Sequence, residues 1–387
     1  MSALMWDAPD PSLKLLFLTT GASESITLPL AQYDYDTGAI AMTYNFLVDW
    51  GDSSSDTITS YNQAQATHVY ADAGSHVVTI TGVCDSIRFD YGDGQGVSYL
   101  KVTEVQNWGT IAFKDMSSAF GGCTNMSITA TDSPNLSAIL DGGKALQYIF
   151  SGCTFVTGGL GSWNVSPLTN ISLMLYSMIN FNEDLNSWDT SNVTDMTRTF
   201  FGSTAFNGNI TNWDVSGVTA MYEMFSGAAA FNQNIGGWVT SAVTNMWGMF
   251  HNATNFNQNI GGWDTALVNT MREMFWSANN FNQDIGGWDT GEVTMMYRML
   301  QNAAAFDQDI SGWDVSKVTN LQFILTGATS FSTANYDLLL NGWSLLTLTP
   351  SLTFNTVATY TISTSQAARD ILTGTPNDWT INDGGGI

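Results

Sequence analysis

Three kinds of residue in this 387-residue chain have the type and spacing to do chemistry: three histidines, three cysteines and a file of recurring aspartates. His68 and His76 lie close in sequence and His251 far from both, and no His-Glu-x-x-His or Cys/His metal spacing occurs. No Gly-x-Ser-x-Gly elbow for a nucleophilic serine is present. Lys144 follows Gly142-Gly143 without the earlier glycine and the trailing Ser or Thr of a phosphate loop. Carboxylates are plentiful, and two of them are enough for a glycosidase. Nearly all sit at repeated positions, however, so a structural origin is expected and the chain reads as a non-enzyme.

The aspartates that follow recurring tryptophans, Asp189, Asp214, Asp264, Asp289 and Asp314, offer two chemistries. Stacked as a column of oxygen ligands they would bind Ca2+. Singly, each would close an Asx turn by accepting from the amide two residues on. Asn164 and Val239 interrupt the file, which favours the turn, and Ca2+ stays the one cofactor in question. Asp49 and Asp52 read the same way. Cys84, Cys123 and Cys153 contain no Cys-x-x-Cys pair and make no disulfide framework. Cys123 and Cys153 follow the matching segments Phe120-Gly-Gly and Phe150-Ser-Gly, at a place where later segments have Ser or Ala, so both read as small buried side chains.

The element that must position all of this is a repeat. Trp163, Trp188, Trp213, Trp238, Trp263, Trp288 and Trp313 recur every 25 residues without a slip. Five residues after each comes Leu or Val, eight after Ile, Met or Leu, twelve after Leu or Phe, and eighteen after always Phe, from Phe181 to Phe331. One unit has about six large apolar side chains, worth roughly 1.5–3 kcal/mol each when buried. Ordering its backbone costs ~1–2 kcal/mol per residue, so no unit stands alone and stacked coils must share one core. Within a coil, Val-Thr-x-Met predicts a short strand, Met-Phe and the small residues after it one helical turn, and Phe-Asn-Gln-Asn-Ile a second alternating segment. Asn182, Asn207, Asn232, Asn257 and Asn282 would stack as an amide ladder that Asp307 breaks.

Two files of positions vary within this constant frame. Nine residues after each Trp stand Ser172, Thr197, Tyr222, Trp247, Arg272, Tyr297 and Gln322; thirteen after stand Tyr176, Phe201, Ser226, His251, Trp276, Gln301 and Thr326. The ninth and tenth positions after each Trp lie between buried residues and should face outward. Tyr, Trp and Arg anchor interfaces and stack on sugars, so Tyr222, Trp247, Arg272, Trp276 and Tyr297 form the candidate ligand-binding strip.

Irregular coils are expected over 101–162, regular repeats over 163–337 within a solenoid of 101–346, and a C-terminal cap over 347–387 with a helix at Ala367–Leu372 and a strand at Trp379–Ile381. Residues 1–100 lack the 25-residue phase. They show short alternating runs at Leu13–Leu18, Ser25–Leu30, Met42–Trp50, Ser75–Thr81 and Ser86–Phe89, with turns at Gly51-Asp52-Ser53-Ser54 and Asp93-Gly94, the pattern of a β-sandwich. With 34 acidic against 10 basic residues the net charge is −24, which argues against nucleic acid and anionic membranes as partners. No apolar run approaches the 18 residues of a spanning helix, so no membrane insertion is expected.

Two resemblances follow from particular motifs. Val48-Asp49-Trp50-Gly51-Asp52-Ser53, with Thr67-His68-Val69-Tyr70 and Gly74-Ser75-His76-Val77-Val78, resembles the polycystic-kidney-disease-type Ig-like β-sandwich domain. Ser53 stands where that family has Gly and His76 where it has Tyr, which implies a changed turn. Val243-Thr244-Asn245-Met246, Met249-Phe250 and Phe256-Asn257-Gln258 resemble the BspA-like leucine-rich-repeat surface proteins, as do Leu340-Asn341-Gly342-Trp343 and Trp379-Thr380-Ile381-Asn382-Asp383. The resemblances imply a mainly β protein: an N-terminal sandwich, a leucine-rich-repeat-like solenoid and a cap.

They also imply a non-enzymatic adhesion or receptor-recognition protein, whose partner is a host-surface glycan or protein. The alternative is a structural virion component, a capsid decoration or tail-associated protein, whose solenoid contacts other virion subunits; a homo-oligomer suits either. Residues Met1–Asp10 lack a basic start and apolar core. A particle released by lysis needs no export signal, so the exterior of a phage virion is the expected location, with the bacterial cell surface as the alternative.

Overall fold

The computed structural model describes residues 10–89 and 98–387; the turn expected at Asp93-Gly94 and the segment before Asp10 lie outside them. The chain forms two compact units, Met1–Asp189 and Thr190–Ile387.

In the first unit the alternating runs become strands: β1 (Leu13–Thr19), β2 (Glu24–Thr27), β3 (Tyr44–Asp49), β4 (Ser55–Ile58), β5 (Thr67–Tyr70) and β6 (Gly74–Cys84). β7 (Val102–Asn107) and β8 (Ser127–Ile128) follow. They build a mixed six-stranded sheet in the order β4-β3-β6-β1-β7-β8, and β2 pairs with β5 separately. Alternation decides the buried face: Leu13, Leu15 and Phe17 of β1 and Tyr44, Phe46 and Val48 of β3 are sealed from solvent. Ser86–Phe89 forms no strand; only Ser86 makes a bridge, to Asp115. The expected boundary at residue 100 also shifts. β7 pairs antiparallel with β1 and β8 runs parallel to β7, so residues assigned to the first irregular coils complete the sheet.

The turn after β3 holds a left-handed residue other than glycine, Ser53 at φ 75°. Asp49 and Asp52 accept from the amides of Gly51 and Ser54, two residues on, at 2.9 and 3.0 Å. Trp50 stacks on His68 at 5.0 Å, and His76 stacks on Tyr70 at 3.7 Å.

The second unit is consistent with a repeat solenoid. Single parallel bridges join Asp195 to Ala220, Ala220 to Asn245, Asn245 to Thr270, Thr270 to Met295 and Met295 to Asn320, each one coil apart. The strand expected in each coil is thus reduced to one residue. The expected helical turn does not form either. The tenth residue after each Trp is left-handed (Glu223 φ 53°, Glu273 58°, Arg298 58°), and so is the fourteenth (Gly227 75°, Ser277 58°). Left-handed residues cannot continue a right-handed helix. They set up an alternation instead. The amides of Met221, Glu223, Phe225 and Gly227 donate to the next coil, while those of Met224, Ser226 and Ala228 close local turns. Seven of the eight amides from Met221 to Ala228 are thus satisfied without a strand.

The core of this unit is an aromatic ladder. Phe225, Phe250 and Phe275 stack on one another at 5.6–5.7 Å, and each stacks on the Phe six residues later at 3.9–4.0 Å. The Trp column lies beside them, with Trp238 and Trp263 parallel at 6.4 Å. The indole N–H groups of Trp263, Trp288 and Trp313 donate to Ile235, Ile260 and Ile285 carbonyls of the coil before.

The repeat phase ends sooner than residue 337. α2 (Thr333–Trp343) begins two residues after Phe331, capped by Ser332. (The four-residue helix Ser98–Lys101 before β7 counts as α1.) β9 (Thr353–Asn355) and β10 (Thr380–Asn382) pair in parallel, and α3 (Ile362–Thr373) extends the expected helix at both ends. Buried Asp383 accepts from Tyr336 of α2 and Arg369 of α3, both at 2.8 Å, and so ties the tail to the helices. Among the described residues no helix is long and apolar enough to cross a membrane.

Candidate functional site

The five residues singled out from the sequence come together as one strip on the second unit. Because coils bridge in register, side chains at equal positions lie one above another. Tyr222 stacks on Trp247 at 5.8 Å. The Arg272 guanidinium sits 5.2 Å from the Trp247 ring centre and 5.4 Å from that of Tyr297. Trp276 belongs to the neighbouring column and stacks on His251 at 4.4 Å.

Arg298, which belongs to neither variable file, joins the two columns. Its guanidinium lies 4.8 Å from both the Trp276 and the Tyr297 ring centres and 5.6 Å from Phe323. Arg198 does the same at the other end, over Tyr222 at 5.4 Å and Phe201 at 5.7 Å. The left-handed backbone at the tenth position turns it between the two files. The signal that would have found it is charge. Only five basic residues follow position 190, and Arg198, Arg272 and Arg298 are three of them.

The strip is balanced by two acids. Glu273 is only 8% exposed and accepts from the Trp247 indole and from Arg272, both at 3.1 Å. Glu223 accepts from Arg198 Nε at 2.6 Å. Burial pulls the His251 imidazole below its usual pKa of 6.5, against the opposing pull of Glu273 and Glu223.

Trp247 is covered by Tyr222 from the coil before and by Arg272 from the coil after, and Trp276 likewise by His251 and Arg298. Each indole therefore has a neighbour from the coil on either side. What reaches outward is ring edges and guanidinium groups: Arg272 is exposed, and Tyr222, Trp247, Trp276 and Tyr297 are half-buried.

The aspartates after the tryptophans close turns. Asp214, Asp264, Asp289 and Asp314 accept from the amide two residues on at 2.9–3.1 Å. Among the described residues no group of three or more His, Cys, Asp or Glu side chains could hold a metal ion. The three cysteines are free and buried, and desolvation pushes the Cys153 thiol up to about 12, out of the range of a reactive thiolate.

A family described as "Mycoplasma protein of unknown function, DUF285" matches residues 144–262 and 231–338, together just over half of the chain. The chain belongs to this repeat family, which is BspA- and leucine-rich-repeat-like. The matched residues include the whole strip and exclude the N-terminal sheet. No curated protein and no solved structure matches the chain.

Proposed function

We propose that this protein is a non-enzymatic adhesion or receptor-recognition protein whose capped, leucine-rich-repeat-like solenoid displays the strip from Tyr222 to Arg298. One observation supports the reading above others: in a chain of net charge −24, arginine and aromatic side chains are concentrated at the positions that vary while the coil frame stays constant. Such residues dominate binding energy at interfaces. The N-terminal region, in this reading, is a polycystic-kidney-disease-type sandwich that mounts the solenoid; the Trp50–His68 and Tyr70–His76 stacks support it. The proposed setting is the outside of a phage particle. The test is binding of the full chain to a glycan and host-surface panel. Retention that is lost in Trp247→Ala and Tyr222→Ala variants of unchanged melting temperature supports recognition; no retention on any surface refutes it.

A second reading, a structural component that contacts other subunits, has one observation in its favour. The strip is a ladder of stacked rings and guanidinium groups running across several coils, which also suits a protein partner. Mass spectrometry of purified particles separates the two: high copy number favours decoration, a few copies favour an adhesin, and absence removes the virion setting.

A further inference from the structure

Arg298 differs from the other two arginines of the strip. Arg198 and Arg272 pair with Glu223 and Glu273, whereas Arg298 makes no ion pair among the described residues. Its Nε is buried without a hydrogen-bond partner, and so are Gln301 Oε1 and Thr326 Oγ1, in the same coil and the next. Buried polar atoms without partners are few in folded proteins, and each calls for a reason. The guanidinium itself is held between Trp276 and Tyr297, its outer nitrogens in no ion pair among the described residues. The side chain is oriented in advance: aromatic rings fix its plane, and little rotational freedom is left to lose on binding.

The Arg298 backbone N–H donates to the Gln322 carbonyl at 3.1 Å, and Gln322 borders a cleft of about 190 Å³ lined also by Thr319, Asn320, Ser351 and Thr353, with Leu321 and Leu352 between them. Amides and hydroxyls of this kind suit a polyhydroxylated ring. A planar cation with a free donor fork suits a carboxylate, to which it can bond in bidentate fashion.

We infer that Arg298, between Trp276 and Tyr297 and beside the cleft at Gln322, anchors the carboxylate of an acidic sugar residue, the hydroxyl-bearing ring lying toward the cleft. This rests on the recognition reading and names the ligand class for the same strip. The sugar is held by charge and hydroxyl contacts.

The test is titration of the full chain, followed by ligand-observed NMR, with sodium glucuronate, N-acetylneuraminate, glucose and an oligoglutamate peptide. Both sugar acids should bind at least tenfold more tightly than glucose. Arg298→Gln should lose at least tenfold, Arg298→Lys an intermediate amount because the fork is gone, and Lys317→Gln nothing. Should Arg298→Gln melt early, Arg298→Lys serves for the comparison. Equal binding of glucose, or sugar-acid binding that survives Arg298→Gln and Arg298→Lys alike, overturns the inference. Oligoglutamate binding as tight as the sugar acids overturns it in favour of an acidic protein. A neutral glycan held through Trp247 and Tyr222 regardless of Arg298 leaves the recognition surface standing and removes only the acid-sugar assignment; retention of nothing on any arm removes both.

Discussion

The backbone N–H of Ser332 donates to Oδ1 of Asp307 at 2.8 Å, and this bond passes the side-chain ladder of the coils on to the N-terminus of a helix. One coil earlier, the Asp307 N–H donates to Asn282 Oδ1 at 2.8 Å, as Asn282 does to Asn257 and Asn257 to Asn232 at 2.9 Å. Asp307 was expected to break the ladder. It continues it, because each rung uses only the side-chain oxygen, which aspartate also has. The same oxygen accepts from Asn335 Nδ2 at 2.7 Å, and a negative charge beside the start of α2 is favourable.

Asp307→Asn should therefore change stability by less than about 0.5 kcal/mol, while Asp307→Ala and Asn257→Ala should each cost about 1–3 kcal/mol by leaving a buried N–H unpartnered. Urea unfolding of the three variants is the check. A loss for Asp307→Asn equal to that for Asp307→Ala contradicts the account.

Phe250 stacks on four other rings and is fully buried. Truncation to Ala should cost about 3–5 kcal/mol. Leu should cost only about 1–1.5 kcal/mol, because Leu300 and Leu325 occupy the same position two and three coils on. Calorimetry of both variants measures the difference.

Ser53 adopts φ 75° without glycine's freedom. Ser53→Gly removes that strain and adds flexibility to the unfolded chain, for a net gain of up to about 1 kcal/mol. A fall in melting temperature would mean that the Ser53 side chain has a role of its own.

The His251 pKa is lowered by burial, so the folded state favours the neutral ring. Between the folded and unfolded pKa values the unfolded chain binds more protons, and stability falls as pH drops through 6.5, levelling off below the folded value. His76 shifts in the same direction, also by desolvation. His251→Gln should therefore reduce, and not abolish, the loss of melting temperature between pH 7.5 and 5; an unaltered loss refutes the assignment.

Chelation should leave the melting temperature unchanged, because Asp214, Asp264, Asp289 and Asp314 each bond an amide of their own turn. Asp264→Asn keeps the accepting oxygen and should be neutral within about 0.5 kcal/mol. A melting temperature that falls with chelator and recovers with Ca2+ would restore the ion column.

By itself the sequence determined the repeat. The Trp and Phe spacing names the buried columns, because a period shared by every coil forces equal side chains into register, and the five strip residues follow from the positions left free to vary. The family match falls on the same residues. Only the tertiary structure decided how the chain turns within a coil, since the left-handed backbone at Glu273 and Arg298 is set by bonds to neighbouring coils and has no signature in residue type. It also decided that Val102–Asn107 pairs with β1, which sequence distance conceals. And it decided that Arg298 stands between Trp276 and Tyr297, because rings one coil apart and residues in adjacent columns meet only when the coils are stacked.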